Sequence, residues 1–248
     1  MKIIINGING HMGRVLADLA LSGYAGAKLV LGIDVNEDET CPVSCVASFD
    51  DIHEEADCII DFSHHSCTEK MTAWAQAHHM PLVIATTGQT DEERAMITAA
   101  SEHIPVFFAA NYSIGVALLM ELAAKTASVM QDAEIEIVET HHDRKLDAPS
   151  GTALSIARAI QQVRPEADLV MGRSGNGKRT PEEIGIHSIR MGNIVGIHEV
   201  IVGTQNQTIT LKHEAHSRAL FAEGALTAAK YLTGKPAGLY DMKNLIVI

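Results

Sequence analysis

The chain of 248 residues is short of several things, and each shortage removes a class of protein. Its four cysteines, Cys41, Cys45, Cys58 and Cys67, are too few to staple a chain of this length. Cys41-x-x-x-Cys45 has no second pair to complete a zinc site, so all four read as reduced, structural thiols. No apolar run approaches the ~20 residues needed to cross a bilayer; the longest, Ile114 to Met120, contains Gly115. Basic side chains number 19 against 31 acidic ones, which leaves a net charge of −12 and no Lys/Arg run. Such a field repels phosphate backbones, so nucleic acid is not an expected partner. No HExxH pattern is present, and the adjacent pairs His64-His65 and His78-His79 do not share a helix face, so no metal is expected. The first residues run from Lys2 into Ile3-Ile4-Ile5 and a glycine turn, without the apolar core and cleavage site of a secretory signal. The expectation is a cytoplasmic protein that makes no membrane contact.

What is present has a beat. Five apolar, β-branched runs each end in small or polar residues: Ile3–Ile5, Leu29–Ile33, Cys58–Ile60, Leu82–Ala85 and Val106–Ala110. Their starts lie 26, 29, 24 and 24 residues apart, with helical patterns at Met12–Ser22, Cys67–His79 and Asp91–Ser101 between them. Continuous apolar runs alternating with helices predict buried parallel strands joined by right-handed crossovers. The fold class is therefore α/β, with an N-terminal doubly wound, Rossmann-type sheet whose ligands lie beyond the carboxyl ends of its strands.

The pattern changes after Asn111. A helix from Ser113 to about Met130 leads into the alternating strand Glu134–Glu139, and a second helix follows Ser150-Gly151. A turn-rich stretch, Gly172 to Gly185, reads as a mobile loop. Strands follow at Ile186–Arg190, Gly196–Gly203 and Thr208–His213, joined by short Gly/Asn turns that suit antiparallel pairing. A helix from Arg218 to about Leu232 and an apolar run, Leu245–Ile248, end the chain. The expected organisation is a dinucleotide-binding domain at 1–112 and an α+β domain at 113–216 on a mixed, mostly antiparallel sheet. A helix and tail at 217–248 then return to the first domain.

Two segments carry chemistry. Gly7-Ile8-Asn9-Gly10-His11-Met12-Gly13 lies between a strand and a helix. Glycines there allow a tight turn and close approach of the backbone to a pyrophosphate, and the helix start favours negative charge. Asp34, at the end of the second strand, is placed to accept hydrogen bonds from an adenosine ribose. The next residues, Val35-Asn36-Glu37-Asp38, contain no cation to clamp a 2′-phosphate, so NADH is favoured over NADPH unless Arg14 or a distant side chain compensates. The second segment, Glu139 to Ala153, combines a helix start at Ser150-Gly151-Thr152, suited to a carboxylate, with His141 and Lys145 as proton donors.

That block, HHxxKxDAPSGTA, together with Gly7-x-x-Gly10-x-Met12-Gly13, Thr86-Thr87-Gly88, Asn111-Tyr112-Ser113 and Arg190-x-Gly192-x-Ile194-Val195-Gly196-x-His198, carries a resemblance along the whole chain. The sequence resembles the 4-hydroxy-tetrahydrodipicolinate reductases, or dihydrodipicolinate reductases, of bacterial lysine and diaminopimelate synthesis. The resemblance implies an NAD(P)H-dependent reductase of a cyclic dicarboxylate, with both cofactors commonly accepted. It implies that the 113–216 domain binds substrate and builds a homotetramer. It also implies that Gly7, Ile8, Asn9, Gly10, His11 and Met12 bind the pyrophosphate region and Asp34 the ribose. Ala85, Thr86 and Thr87, with Ala109, Ala110, Asn111 and Tyr112, would border the nicotinamide. By the same resemblance His141 is the acid/base residue and Lys145 the proton donor, and His142, Gly151 and Thr152, beside Ser150, hold substrate. Asn9 and His11 depart from the family pattern of Gly and a basic residue, which weakens the case for NADPH. Two other readings stand beside this one: an NAD(P)H-dependent dehydrogenase of another amino or imino dicarboxylate, and a non-catalytic NADH-sensing module.

Overall fold

Parallel strands covered on both faces need apolar residues at every position, and the first strand shows this. β1 (Lys2–Asn6) carries Ile3, Ile4 and Ile5 with no exposed surface. The computed structural model describes residues 1–36 and 38–246, so Glu37 and the last two positions of the Leu245–Ile248 run lie outside the described residues. The chain divides into two compact units, one of residues 1–114 with the segment from Ala219 onward, the other Gly115–Arg218.

In the first unit, α1 (His11–Leu21) connects β1 to β2 (Lys28–Ile33), and a two-residue β3 (Cys45–Val46) follows. Then come β4 (Cys58–Asp61), α2 (Thr68–Ala77), β5 (Leu82–Ile84), α3 (Asp91–Ser101) and β6 (Pro105–Phe108). Helix α3 begins where the sequence places it because Thr90 and Glu93 form a reciprocal capping box. The sheet has seven strands in the order β12-β6-β5-β4-β1-β2-β3, every pair parallel, β12 (Gly238–Tyr240) coming from the end of the chain. Alternate side chains of the strands pack with Met71 and Ala75 of α2 and with Ile97 and Ala100 of α3. Helix α6 (Ala219–Leu232) packs on α1 and on β4, β5 and β6. The strand order reverses at β1, whose neighbours β2 and β4 take the chain in opposite directions. That reversal opens a crevice at the carboxyl ends of β1 and β4. The short β3 and β12, of two and three residues, escape a reading based on periodicity.

The second unit holds α4 (Ile114–Val129, counted here from Gly115), β7 (Glu134–His141), α5 (Gly151–Gln161), β8 (Asp168–Met171), β9 (Glu183–Arg190), β10 (Gly196–Gly203) and β11 (Thr208–Ala215). Its sheet runs β11-β10-β7-β9-β8. It is mixed as expected, but evenly so: β11/β10 and β10/β7 are antiparallel, whereas β7/β9 and β9/β8 are parallel. The expected antiparallel pairing of β9 with β10 is therefore corrected. Residues 191–195 do reverse the chain, as their glycine and asparagine suggest, but they step across the end of β7, which sits between the two strands. Turn chemistry specifies a reversal of direction and not the identity of the neighbour. Strand β9 also begins at Glu183, inside the stretch read as a loop, because Ile184 and Ile186 reach the core. That core is closed by Leu119, Ala123 and Ala127 of α4 and by Ala153, Ile156, Ala157 and Ile160 of α5.

Candidate active site

Each unit carries one cluster of functional groups. In the first, the amides of Gly7 and Ile8 donate to Ile33 O at 2.8 and 3.3 Å, which folds the β1–α1 turn back over the end of β2. Gly7 has φ +79°, and a Cβ there would meet Phe62 O at 2.5 Å. A Cβ on Gly13 would lie 2.0 Å from Gly7 O, so the turn and the helix touch backbone to backbone. Helix α1 starts at Gly10 with no side-chain cap and no acidic residue in its first turn, which leaves its positive end available to an anion. Gly13→Ala is expected to push the turn and helix apart and to weaken NADH binding about fivefold or more by calorimetry, since overpacking of this kind costs roughly 1–3 kcal/mol. Wild-type affinity in that variant would remove the close packing from the account of the site.

Asp34 lies beside this turn. Its Oδ2 accepts the Asn9 amide at 2.9 Å and its Oδ1 accepts the Asn36 amide at 2.9 Å. Gly7, Asn9, Gly10, Asp34 and Asp38 share a cleft of about 650 Å3, whose other wall includes Phe62, Ser63, His64 and Lys70. A turn with no room for a Cβ at Gly7 or Gly13, a helix start and a carboxylate beside them together fit a dinucleotide. Other residues named from the sequence take different positions. Ile8 is buried, with its side chain packed against Gly32. His11 is exposed at the helix start, and Met12 is half-buried.

Thr86 is buried and its hydroxyl accepts the Ser63 amide at 2.8 Å, while Thr87 and Ala110 are exposed and Ala85 and Ala109 half-buried. Asn111 Oδ1 accepts the Ser113 amide at 2.8 Å. Tyr112 is buried between Phe62 and Phe107, with its hydroxyl 2.9 Å from Ile84 O and 3.0 Å from Phe107 O, so its side chain ties strand ends together. Asp61 has no role assigned from the sequence. It is buried at the end of β4, where its Oδ1 accepts Asn6 Nδ2 at 2.8 Å and the Ser63 hydroxyl at 2.5 Å. Burial raises its pKa against those hydrogen bonds.

The second cluster follows from strand parity. Along β7 the buried face takes Ile135, Ile137, Glu139 and His141, so the register that points two isoleucines into the core also points in a glutamate and a histidine. Pairing sets His198 of β10 opposite Glu139 and Arg190 of β9 beside His141. Glu139 is fully buried and its carboxylate is saturated. Arg190 grips it at 2.7 and 2.9 Å, the Ser150 amide donates to Oε1 at 3.1 Å, and His141 Nδ1 lies 2.5 Å from Oε2. Burial alone would raise its pKa, but the hydrogen bonds of Arg190, Ser188 and His141 outweigh that and hold it at about 2.

An ionised carboxylate only accepts, so His141 Nδ1 carries the proton and Nε2 is left as the acceptor. Burial, then the charges of Lys145 and Arg190, lower the His141 pKa from 6.5 despite the opposing pull of Glu139. His198 is buried too, with Nε2 3.1 Å from the Ser150 hydroxyl and its ring edge-on to His141. Burial and the nearby His141 push it down to about 4. Lys145 pairs with Asp147 at 2.8 Å. Ser150 caps α5 by accepting the Ala153 amide at 3.1 Å. A Cβ on Gly151 would meet nothing within 4 Å, and the first turn of α5 has no acidic side chain, so its positive end is open to a carboxylate. His142 is half-buried, with no hydrogen-bond partner for Nδ1.

His141, Lys145, Ser150 and Gly151 thus come together as a neutral base, a cation and an anion-accepting helix start within one unit. Glu139, Arg190 and His198 were not assigned roles from the sequence. The alternation of β7 carried the signal for Glu139, because an acidic residue in phase with Ile135 and Ile137 must be buried and paired. Among the described residues no group of three or more His, Cys, Asp or Glu side chains is arranged to hold a metal ion, and no helix is long and apolar enough to cross a membrane.

Residues 1–112 match the family described as "Dihydrodipicolinate reductase, N-terminus", and residues 115–246 match "Dihydrodipicolinate reductase, C-terminus". The chain is 45% identical to the 4-hydroxy-tetrahydrodipicolinate reductase of Caldanaerobacter subterraneus subsp. tengcongensis, over 99% of this chain and 98% of that one. It is 40% identical to the enzyme of the same description from Alkaliphilus metalliredigens, over 99% of each. Among solved structures, the dipicolinate-bound dihydrodipicolinate reductase of Paenisporosarcina sp. TG-14 superposes with a TM-score of 0.82 at 26% identity, over 99% of both chains.

Proposed function

The chain belongs to the dihydrodipicolinate reductase family, and on that premise we propose that it reduces 4-hydroxy-2,3,4,5-tetrahydrodipicolinate to 2,3,4,5-tetrahydrodipicolinate with loss of water, using NADH in preference to NADPH. It acts in the cytoplasm, as a homotetramer, in lysine and diaminopimelate synthesis. The observation that carries the reading is the buried Glu139, which fixes His141 while donating no charge to the substrate. A dicarboxylate bound to the relative from Paenisporosarcina supports the substrate class.

Gly7, Gly10 and Asp34 would hold the nicotinamide cofactor in the glycine cradle, and its chemistry there would be supply of a hydride. The chain's own groups do the rest. The start of α5, with Ser150, Gly151 and Thr152, receives a substrate carboxylate, and His142 borders it. Hydride addition moves electron density onto the ring nitrogen, where a proton must follow. Lys145 delivers that proton: it is a cation, whereas His141 is neutral, with its one N–H already given to Glu139. His141 Nε2, as acceptor, orients the substrate, takes the ring C–H proton lost in the elimination and returns it to the departing hydroxyl, which leaves as water. The cleft wall at the ribose position carries the carboxylates of Asp34 and Asp38, which supports NADH, since they repel a 2′-phosphate.

The test is an assay of NADH oxidation with the product of a coupled 4-hydroxy-tetrahydrodipicolinate synthase, set against simple 2-oxo acids plus ammonia, on protein whose assembly is measured by sedimentation. Turnover only with the cyclic dicarboxylate, a higher kcat/KM with NADH than with NADPH, and a tetramer are expected. Turnover with 2-oxo acids alone would replace the proposed substrate with another amino or imino dicarboxylate.

A further inference from the structure

We propose that Asp38 is a specificity-determining residue: it holds Arg14 in an ion pair beside the ribose carboxylate, and so denies a 2′-phosphate the one cation that α1 places there. The inference rests on the reading of the β1–α1 cleft as the dinucleotide site. Arg14 stands one turn into α1, where Nη2 donates to Asn9 Oδ1 at 3.2 Å and Nη1 to Thr40 O at 2.9 Å. Nη2 also pairs with Asp38 Oδ2. The other oxygen of Asp38 accepts the Thr40 amide at 2.8 Å and the Thr40 hydroxyl at 2.7 Å. Those two bonds, the hydroxyl first, keep the carboxyl below its usual range, with Arg14 adding to them, so Asp38 is ionised at neutral pH.

Asn9 connects this pair to the ribose position. Its side-chain oxygen receives Arg14, its amide donates to Asp34 Oδ2 at 2.9 Å, and its Nδ2 donates to Asn36 O at 2.6 Å. Asn9, Asp34, Asn36 and Asp38 all line the same cleft. A 2′-hydroxyl meets Asp34 as an acceptor and asks nothing of Arg14. A 2′-phosphate brings two negative charges to a wall that already carries Asp34 and Asp38, and it gains Arg14 only if the pair with Asp38 opens. An arginine therefore stands against the residues of this wall, and its charge is already spent on Asp38.

Calorimetry with 5′-ADP and 2′,5′-ADP tests the idea without turnover. Asp38→Asn keeps an acceptor for Thr40 but removes the negative charge that pairs with Arg14, and it is expected to tighten 2′,5′-ADP roughly tenfold while 5′-ADP stays within about twofold. In the reductase assay the same variant lowers KM for NADPH relative to KM for NADH. Arg14→Gln in the Asp38→Asn background abolishes the gain, and Arg14→Gln alone leaves both nucleotides near wild-type affinity. An unchanged 2′,5′-ADP to 5′-ADP ratio in Asp38→Asn overturns the proposal. So does a loss of 2′,5′-ADP binding in Arg14→Gln alone, because Arg14 would then already serve the phosphate. If the wild-type protein binds neither nucleotide, the cleft itself is misread and this inference falls with it.

Discussion

Lys145→Ala lowers kcat by about 10²- to 10⁴-fold, the usual contribution of a positioned proton donor, and leaves NADH affinity within about twofold. The affinity is preserved because Lys145 lies in the unit that does not carry the glycine cradle. His141→Gln has a smaller effect on kcat at neutral pH but changes its pH dependence. The His141 pKa is lowered from 6.5, so the neutral, accepting ring persists as the pH falls from 7 and is lost only below 6.5. Wild-type kcat should therefore show an acid limb below pH 6.5, and His141→Gln should lack it. A Lys145→Ala enzyme with wild-type kcat would show that the proton comes from elsewhere. An acid limb retained in His141→Gln would assign that titration to another group.

The second large effect is on stability. Glu139→Ala leaves Arg190, His141 and the Ser150 amide without the carboxylate that all three share. Breaking a buried ion pair by deleting one partner costs about 3–5 kcal/mol, and for a protein of this size that lowers Tm by roughly 10 °C. Glu139→Gln retains an acceptor for one of those donors, so it recovers part of the stability. It still fails to fix the His141 tautomer, because an amide both donates and accepts. The expected signature is a nearly folded Glu139→Gln enzyme with depressed kcat and an acid limb displaced from that of wild type. Thermal unfolding of Glu139→Ala at the wild-type temperature would show that the carboxylate carries little of the load.

Much of this was legible in the sequence because its signals are local. Ile3–Ile5 and Cys58–Ile60 are apolar at every position, as a strand buried on both faces requires, and the helical pattern at Asp91–Ser101 coincides with α3. The chemistry of the second site was legible only in part. His141, Lys145 and Ser150 lie close along the chain, but Arg190 and His198 reach Glu139 through strand pairing across gaps of 51 and 59 residues. No turn residue records that pairing. Strand β9 illustrates the limit: residues 191–195 announce a reversal, while the insertion of β7 between β9 and β10 depends on which edges remain free once the whole sheet assembles. Ile8 and Tyr112 show a different limit. Both were expected at the cofactor, and burial turns both side chains to structural use.

The return of the chain end to the first sheet has a consequence for biosynthesis. Strand β12 covers the edge of β6, and α6 lies over β4, β5 and β6, but both are made after the whole of Gly115–Arg218. As the polypeptide leaves the ribosome, the unit with contiguous sequence has all its strands once Ala215 has emerged. The other must wait with β6 as an unpaired border and part of its core uncovered. The inserted unit thus matures first, and the nucleotide-binding one is finished by a segment translated after it.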